Sequence, residues 1–258
     1  MKNMLNSTGH SEGPKGKIWL LPSLLTTISL LSGFYSIISA INGHYFNSAV
    51  ALIVSGIFDG LDGRVARMTN TASHFGMEYD SLCDLVAFGV APAILAYLWA
   101  LEDYGRYGWL AAFLYVATTA LRLARFNSQG QAGNSSKSFT GLPCPAAAGM
   151  IATSVLFCLF FQISGAVRDV LFLGLVYGLS YLMVSNVTYQ SFKHAETTGA
   201  RKFQALVFMV LFIMVLATEP QVTLFVLGFI YVLSGPLGAG YRLLAGLNKN
   251  EEEQEDLV

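Results

Sequence analysis

Long apolar runs alternate with short polar breaks along almost the whole chain. Eight runs approach or exceed the roughly 20 residues with which a helix crosses the hydrocarbon of a bilayer. They fall at about 20–42, 46–68, 75–101, 107–126, 144–163, 169–190, 203–218 and 221–243, with ends uncertain by about two to four residues. The pattern predicts an all-α polytopic membrane protein of about eight transmembrane helices. Residues 1–19 are polar, carry Lys2, Lys15 and Lys17, and show no small-residue cleavage site, so the first apolar run reads as a retained span. Residues 20–243 then form one membrane domain. Residues 244–258 are expected to be a solvated, disordered acidic tail around Glu251, Glu252, Glu253, Glu255 and Asp256. The longest interior polar break, about 127–143, is rich in Ser, Gly, Gln and Asn.

Composition narrows the class. Hydrophobic residues make up 54% of the 258 and charged residues 12%, at a mean hydropathy of +0.54. Soluble domains are about 25% charged, so a soluble globular fold and a disordered chain are both excluded. The net charge of -1 offers no basic field for nucleic acid. Eight spans with the N-terminus inside place all but Arg106 and Arg168 of the 15 Lys and Arg on the cytoplasmic side. Both termini and the breaks near 70, 130 and 198 are therefore expected in the cytoplasm. The absence of a targeting segment suits a prokaryotic inner membrane. Cys83, Cys144 and Cys158 are isolated and suggest packing, not zinc or disulfides.

One region breaks the lipid pattern. Asp59, Asp62, Glu78, Asp80 and Asp84 cluster at the cytoplasmic ends of the second and third spans. Ionisable groups within spans are expensive and usually functional. Asp59 and Asp62 are three residues apart and Asp80 and Asp84 four, so each pair shares one face of its helix. Four carboxylates at one edge repel unless cations bind. Oxygen ligands favour Mg²⁺, Mn²⁺ or Ca²⁺ over zinc, and two such ions about 3.5–4 Å apart would clamp a phosphoryl group. Salt bridges to Arg64 and Arg67 are the plainer alternative, but two arginines cannot neutralise four aspartates. Gly56, Gly60 and Gly63 thin one side of the second span, through helix packing or, at Gly63, to let a ligand approach. A cation-coupled transporter would also hold carboxylates in spans, but would place them at the midplane of repeated halves.

The run Asp59-x2-Asp62-Gly63-x2-Ala66-Arg67-x8-Gly76-x3-Asp80-x3-Asp84 resembles, residue by residue and gap by gap, the signature of the CDP-alcohol phosphatidyltransferases. The resemblance covers at least the first six spans. It implies an integral membrane enzyme, usually a homodimer, in which an alcohol displaces CMP from a CDP-linked lipid. It also implies two divalent ions, Mn²⁺ or Mg²⁺. By resemblance, Asp59, Asp62, Asp80 and Asp84 are metal ligands, and Asp84 is also the general base. Gly63 and Arg67 hold the CDP moiety, and Ser73 sits where the family often places a hydroxyl on the nucleotide phosphate. Ser23, in Pro22-Ser23-Leu24-Leu25-Thr26, stands where the family often has Asn, so no nucleotide contact is assigned to it.

Three later segments look like the phosphatidylserine synthase branch of that family: Leu121–Asn127, Phe139–Ala147 and Met183–Lys193. That branch implies CDP-diacylglycerol and L-serine as substrates, with glycerol 3-phosphate or inositol phosphate as alternative acceptors. Arg122, Arg125, Lys137 and Lys193 fall at the depth of the aspartates and are candidates for the acceptor carboxylate or the lipid phosphate. Anchoring to lipid headgroups is the other reading of these four.

Overall fold

A computed structural model describes residues 20–69, 74–131, 139–189, 210, 214–215 and 217–255. Seven helices dominate: α1 (Leu20–Ile41), α2 (Tyr45–Thr69), α3 (His74–Tyr104), α4 (Arg106–Gln131), α5 (Cys144–Phe160), α6 (Ala166–Val184) and α7 (Pro220–Glu255). They match seven of the expected runs. The remaining one, about 203–218, lies almost wholly outside the described residues. Four stretches are long and apolar enough to cross a membrane on length and composition alone: Pro22–Ile41, His74–Tyr104, Ala166–Val184 and Pro220–Gly240. Three ends depart from expectation. α4 runs on to Gln131, into the polar break expected from 127. α6 stops at Val184 because the following chain turns extended: β2 (Thr188–Tyr189) pairs antiparallel with β1 (Phe139–Thr140). α7 continues to Glu255 through residues expected to be a disordered tail, a run rich in Glu and Gln, which are good helix formers.

Small polar residues let α1 and α2 pack as an antiparallel pair. Gly43 closes the turn between them at φ +74°, in the left-handed region open to glycine, with Gly43 N–H donating to the Ala40 carbonyl at 3.0 Å and His44 N–H to that of Ser39 at 2.8 Å. The Ser29 and Ser55 hydroxyls meet at 2.9 Å, and those of Ser36 and Ser48 at 2.8 Å. Such side chains bring helix backbones close and satisfy their own hydroxyls where no water reaches. α3 crosses this pair at Gly33, where a Cβ would lie 2.7 Å from the Ala87 Cα.

α3 is not a uniform helix. Leu85–Val90 and Tyr97–Leu101 are wound with the wider π spacing. Pro92 has no N–H for the carbonyl four residues back, and a π turn is a common way to absorb that defect. The first loosened stretch begins directly after Asp84, so the carboxylates end the regular part of the helix. Among α3, α4, α5 and α6 lies an apolar core in which Phe88, Leu95, Tyr115, Ile151, Val176 and Met183 are fully enclosed. Leu31, Phe113, Leu171 and Ile230 point outward, as lipid-facing side chains do.

Candidate active site

α2 and α3 run antiparallel, so their acidic ends meet. Asp59, Asp62 and Asp80 each direct a carboxylate oxygen into one cluster, with the three oxygens within 4.8 Å of one another. Oxygens on opposite sides of one hard divalent ion stand roughly 4–5 Å apart, given ligand distances of about 2.0–2.6 Å. Asp84, one turn beyond Asp80, lies outside this trio and faces Asp59 at hydrogen-bonding reach. The structure thus brings together all four aspartates that the spacing singled out, three as a compact donor set and the fourth at its edge.

The donor set fits a hard cation. All its atoms are carboxylate oxygens, and Asp80 Oδ1 is buried with no hydrogen-bond partner among the described residues. An orphaned buried carboxylate oxygen is costly unless something positive occupies its free lone pairs. Neither Arg64 nor Arg67 supplies that charge. Arg67 folds back along α2, its Nε donating to the Gly63 carbonyl at 2.9 Å. Among the described residues the one ion pair is Arg168–Asp169, on α6. Gly63 leaves open space where a Cβ would be, beside the donor set.

A support around these carboxylates was not visible in the sequence pattern. Thr26 of α1, buried, donates its hydroxyl to Asp62 Oδ2 at 2.9 Å and so fixes the one buried aspartate among the described residues, Asp62, which is 5% exposed. The hydroxyls of Thr27 and Tyr79 meet at 2.9 Å and tie α1 to α3 one residue from Asp80. A threonine in an apolar helix carries no charge and no periodic signal, and only the preceding Pro22 marks the motif. Partners behind metal ligands typically change affinity about 10–100-fold when removed. Thr26→Val is therefore expected to weaken Mn²⁺ binding by roughly that factor, read by electron paramagnetic resonance titration. Thr26→Ser, which keeps the hydroxyl, should bind as the parent does.

The three later segments converge on the same side. Gly141 N–H donates to the Val187 carbonyl at 2.8 Å and Leu142 N–H to that of Leu182 at 3.0 Å, joining the chain before α5 to the chain around the end of α6. Arg125 reaches Asn186 Oδ1 at 3.2 Å. Arg122 donates from Nη1 to Cys144 Sγ at 3.3 Å, while its buried Nε has no partner among the described residues. That contact ties α4 to the first residue of α5. Ser81, next to Asp80, pairs with Asn127 at 3.0–3.1 Å. Ser73, Lys137 and Lys193 lie outside the described residues.

A half-buried donor set for a hard cation, an open glycine beside it and an under-satisfied arginine nearby are suited to binding a phosphorylated ligand and a second anionic group. Comparison with known proteins points the same way. A family model described as CDP-alcohol phosphatidyltransferase matches residues 19–179. A CDP-diacylglycerol–serine O-phosphatidyltransferase of Helicobacter pylori (strain J99) is 36% identical over 222 residues, covering 86% of this chain and 92% of the relative. One of Bacillus subtilis (strain 168) is 38% identical over 174 residues, 67% of this chain and 91% of the relative. An archaetidylserine synthase of Methanothermobacter thermautotrophicus is 37% identical over 171 residues, 66% and 69% of the two chains.

Proposed function

The chain belongs to the CDP-alcohol phosphatidyltransferase family, and on that premise we propose that it transfers the phosphatidyl group of CDP-diacylglycerol to the hydroxyl of L-serine. The products are phosphatidylserine and CMP. The observation that carries this reading is the meeting of Asp59, Asp62 and Asp80 in one compact donor set with Asp84 at its edge. Serine as the acceptor is supported by the relatives named for serine transfer and by the convergence of the three later segments on that set.

Asp59, Asp62 and Asp80 are the residues that would hold divalent ions, two of Mn²⁺ or Mg²⁺, with Asp84 completing the set. Such ions supply positive charge to the pyrophosphate and make the lipid-side phosphorus a better electrophile. The chain's own groups do the rest. Gly63 leaves room for the nucleotide phosphates to approach α2. Arg67 turns from its Gly63 carbonyl to the CDP moiety and stabilises the charge that develops on departing CMP. Ser73 adds a hydroxyl on that side. Asp84 takes the proton from the serine hydroxyl as its oxygen bonds to phosphorus and the bond to the CMP oxygen breaks. Arg122, with a free buried Nε, receives the serine carboxylate, and Arg125, Lys137 and Lys193 hold the lipid phosphate or assist.

The protein is an integral membrane protein by its apolar helices and its family. We place it in the cell (inner) membrane with both termini and the aspartates at the cytoplasmic face, where CDP-lipid headgroup and serine meet. It acts as a homodimer, with 20–243 as the catalytic domain.

A charge-assisted hydrogen bond contributes roughly 1.5–3 kcal/mol, so Arg122→Ala is expected to raise the KM for serine about ten- to a hundredfold. The KM for CDP-diacylglycerol should stay within about twofold. Steady-state kinetics with each substrate varied in turn read the two separately. The function itself is tested by radiolabelled L-serine. Label entering chloroform-soluble lipid only with CDP-diacylglycerol and divalent metal present supports it. No labelled lipid, with CMP released to another alcohol, overturns the choice of acceptor.

A further inference from the structure

A groove of about 470 Å³ runs between α2, α5 and α7 and is open along one side. Ile53 and Gly56 line it from α2, Gly149 and Met150 from α5, and Gly228 and Tyr231 from α7. We propose that this groove holds an acyl chain of the lipid substrate, which makes α7 part of the substrate site. The proposal rests on the reading of the aspartates as the site that binds the lipid's phosphate. It extends that reading to a helix lying wholly beyond residues 19–179, the part matched by the family model.

Continuity with the aspartates identifies the occupant. Gly56 is three residues before Asp59 and four before Gly60, so all three share one face of α2. The axial rise from Gly56 to Asp59 is only about 4.5 Å. A lipid whose phosphate sits on Asp59 has its glycerol end at the mouth of the groove. The opposite end is apolar. The Thr153 hydroxyl in its wall donates back to the Gly149 carbonyl at 2.8 Å and leaves no donor facing inward. Charge at one end and apolar lining along the rest complement a phosphate-headed acyl lipid.

Glycine makes the space. A Cβ at Gly149 would meet nothing within 4 Å, and one at Gly56 would touch only the Phe88 ring at 3.9 Å. At Gly228 a Cβ would lie 3.4 Å from Met150 Sδ and 3.8 Å from Thr153 Oγ1, ordinary contact distances, so α7 packs directly on α5 there and forms the third wall. Bulk added at Gly149 therefore enters the groove without displacing a neighbour.

The test compares two chain lengths in Gly149→Leu. With CDP-dioleoylglycerol, kcat/KM is expected to fall at least about tenfold; with CDP-dihexanoylglycerol, too short to fill the groove, it should change less than about twofold. Equal losses on both lipids, or no loss on either, would overturn the proposal. A second measurement uses the parent protein and needs no acceptor. CDP-diacylglycerol with a diazirine near the middle of one acyl chain is photolysed in phosphatidylglycerol vesicles and the adducts are mapped. Adducts on Leu224, Leu227 or Ile53 that unlabelled CDP-diacylglycerol suppresses support the proposal, even in a preparation that transfers to no alcohol tried. Adducts elsewhere, or adducts there that unlabelled CDP-diacylglycerol does not suppress, would overturn it even if phosphatidylserine is formed.

Discussion

Asp84→Asn is expected to lower turnover by about 10²–10⁴-fold while leaving CDP-diacylglycerol binding within a few-fold of the parent. The substitution keeps the size and most of the hydrogen-bonding capacity of the side chain but removes its ability to accept the serine proton. Asp84 lies outside the compact trio and against Asp59, so the trio survives its neutralisation. Lipid binding is read by equilibrium retention on vesicles, and turnover by CMP release. A variant that binds and turns over normally would remove Asp84 from the proton-transfer role. A variant that loses binding and turnover together would make it a ligand first.

Asp80→Ala is expected to show the opposite division. It deletes one of the three converging oxygens together with the buried, unpartnered Oδ1. Losing several kcal/mol of charge stabilisation corresponds to about a thousandfold in rate, and here metal affinity should fall as well. Mn²⁺ titration followed by electron paramagnetic resonance should show the weakened site without any substrate. Thermal stability in detergent should not fall, because removing one of four crowded carboxylates relieves repulsion. Retained Mn²⁺ affinity in this variant would place the cation elsewhere.

These two residues were legible in the sequence for a simple reason. Carboxylates in an apolar helix stand out, and spacings of three and four residues fix which of them share a face. Their meeting across α2 and α3 followed from the short connection between antiparallel helices. Thr26 was hidden because a hydroxyl in an apolar helix is common and its partner, Asp62, is 36 residues away. The join between the chain before α5 and the end of α6 was hidden too. It depends on a two-residue ladder, Phe139 against Tyr189 and Thr140 against Thr188, too short to leave an alternating pattern. For the same reason the pattern predicts one span over 169–190, although Thr188–Tyr189 are extended. Arg122 could be marked as a cation at the right depth, but its contact with Cys144 could not, since a lone cysteine looks like packing.

Helix quality shows the same division. The run 75–101 reads as one uniform span, and nothing in its apolar pattern marks the wider winding of Leu85–Val90 directly after the last aspartate. Hydropathy marked the apolar runs of α5 and α7, but not the groove that their glycines open beside Gly56, because depth depends on how helices approach.

The most direct test of the whole account is CMP release by the purified full-length protein from CDP-diacylglycerol with Mn²⁺, comparing L-serine, glycerol 3-phosphate, inositol and inositol phosphate as acceptors. Metal-dependent release is expected with L-serine, and background with the other three. Release with one of the others and none with L-serine would contradict it, leaving the aspartate chemistry in place but assigning Arg122 and its neighbours to a different alcohol.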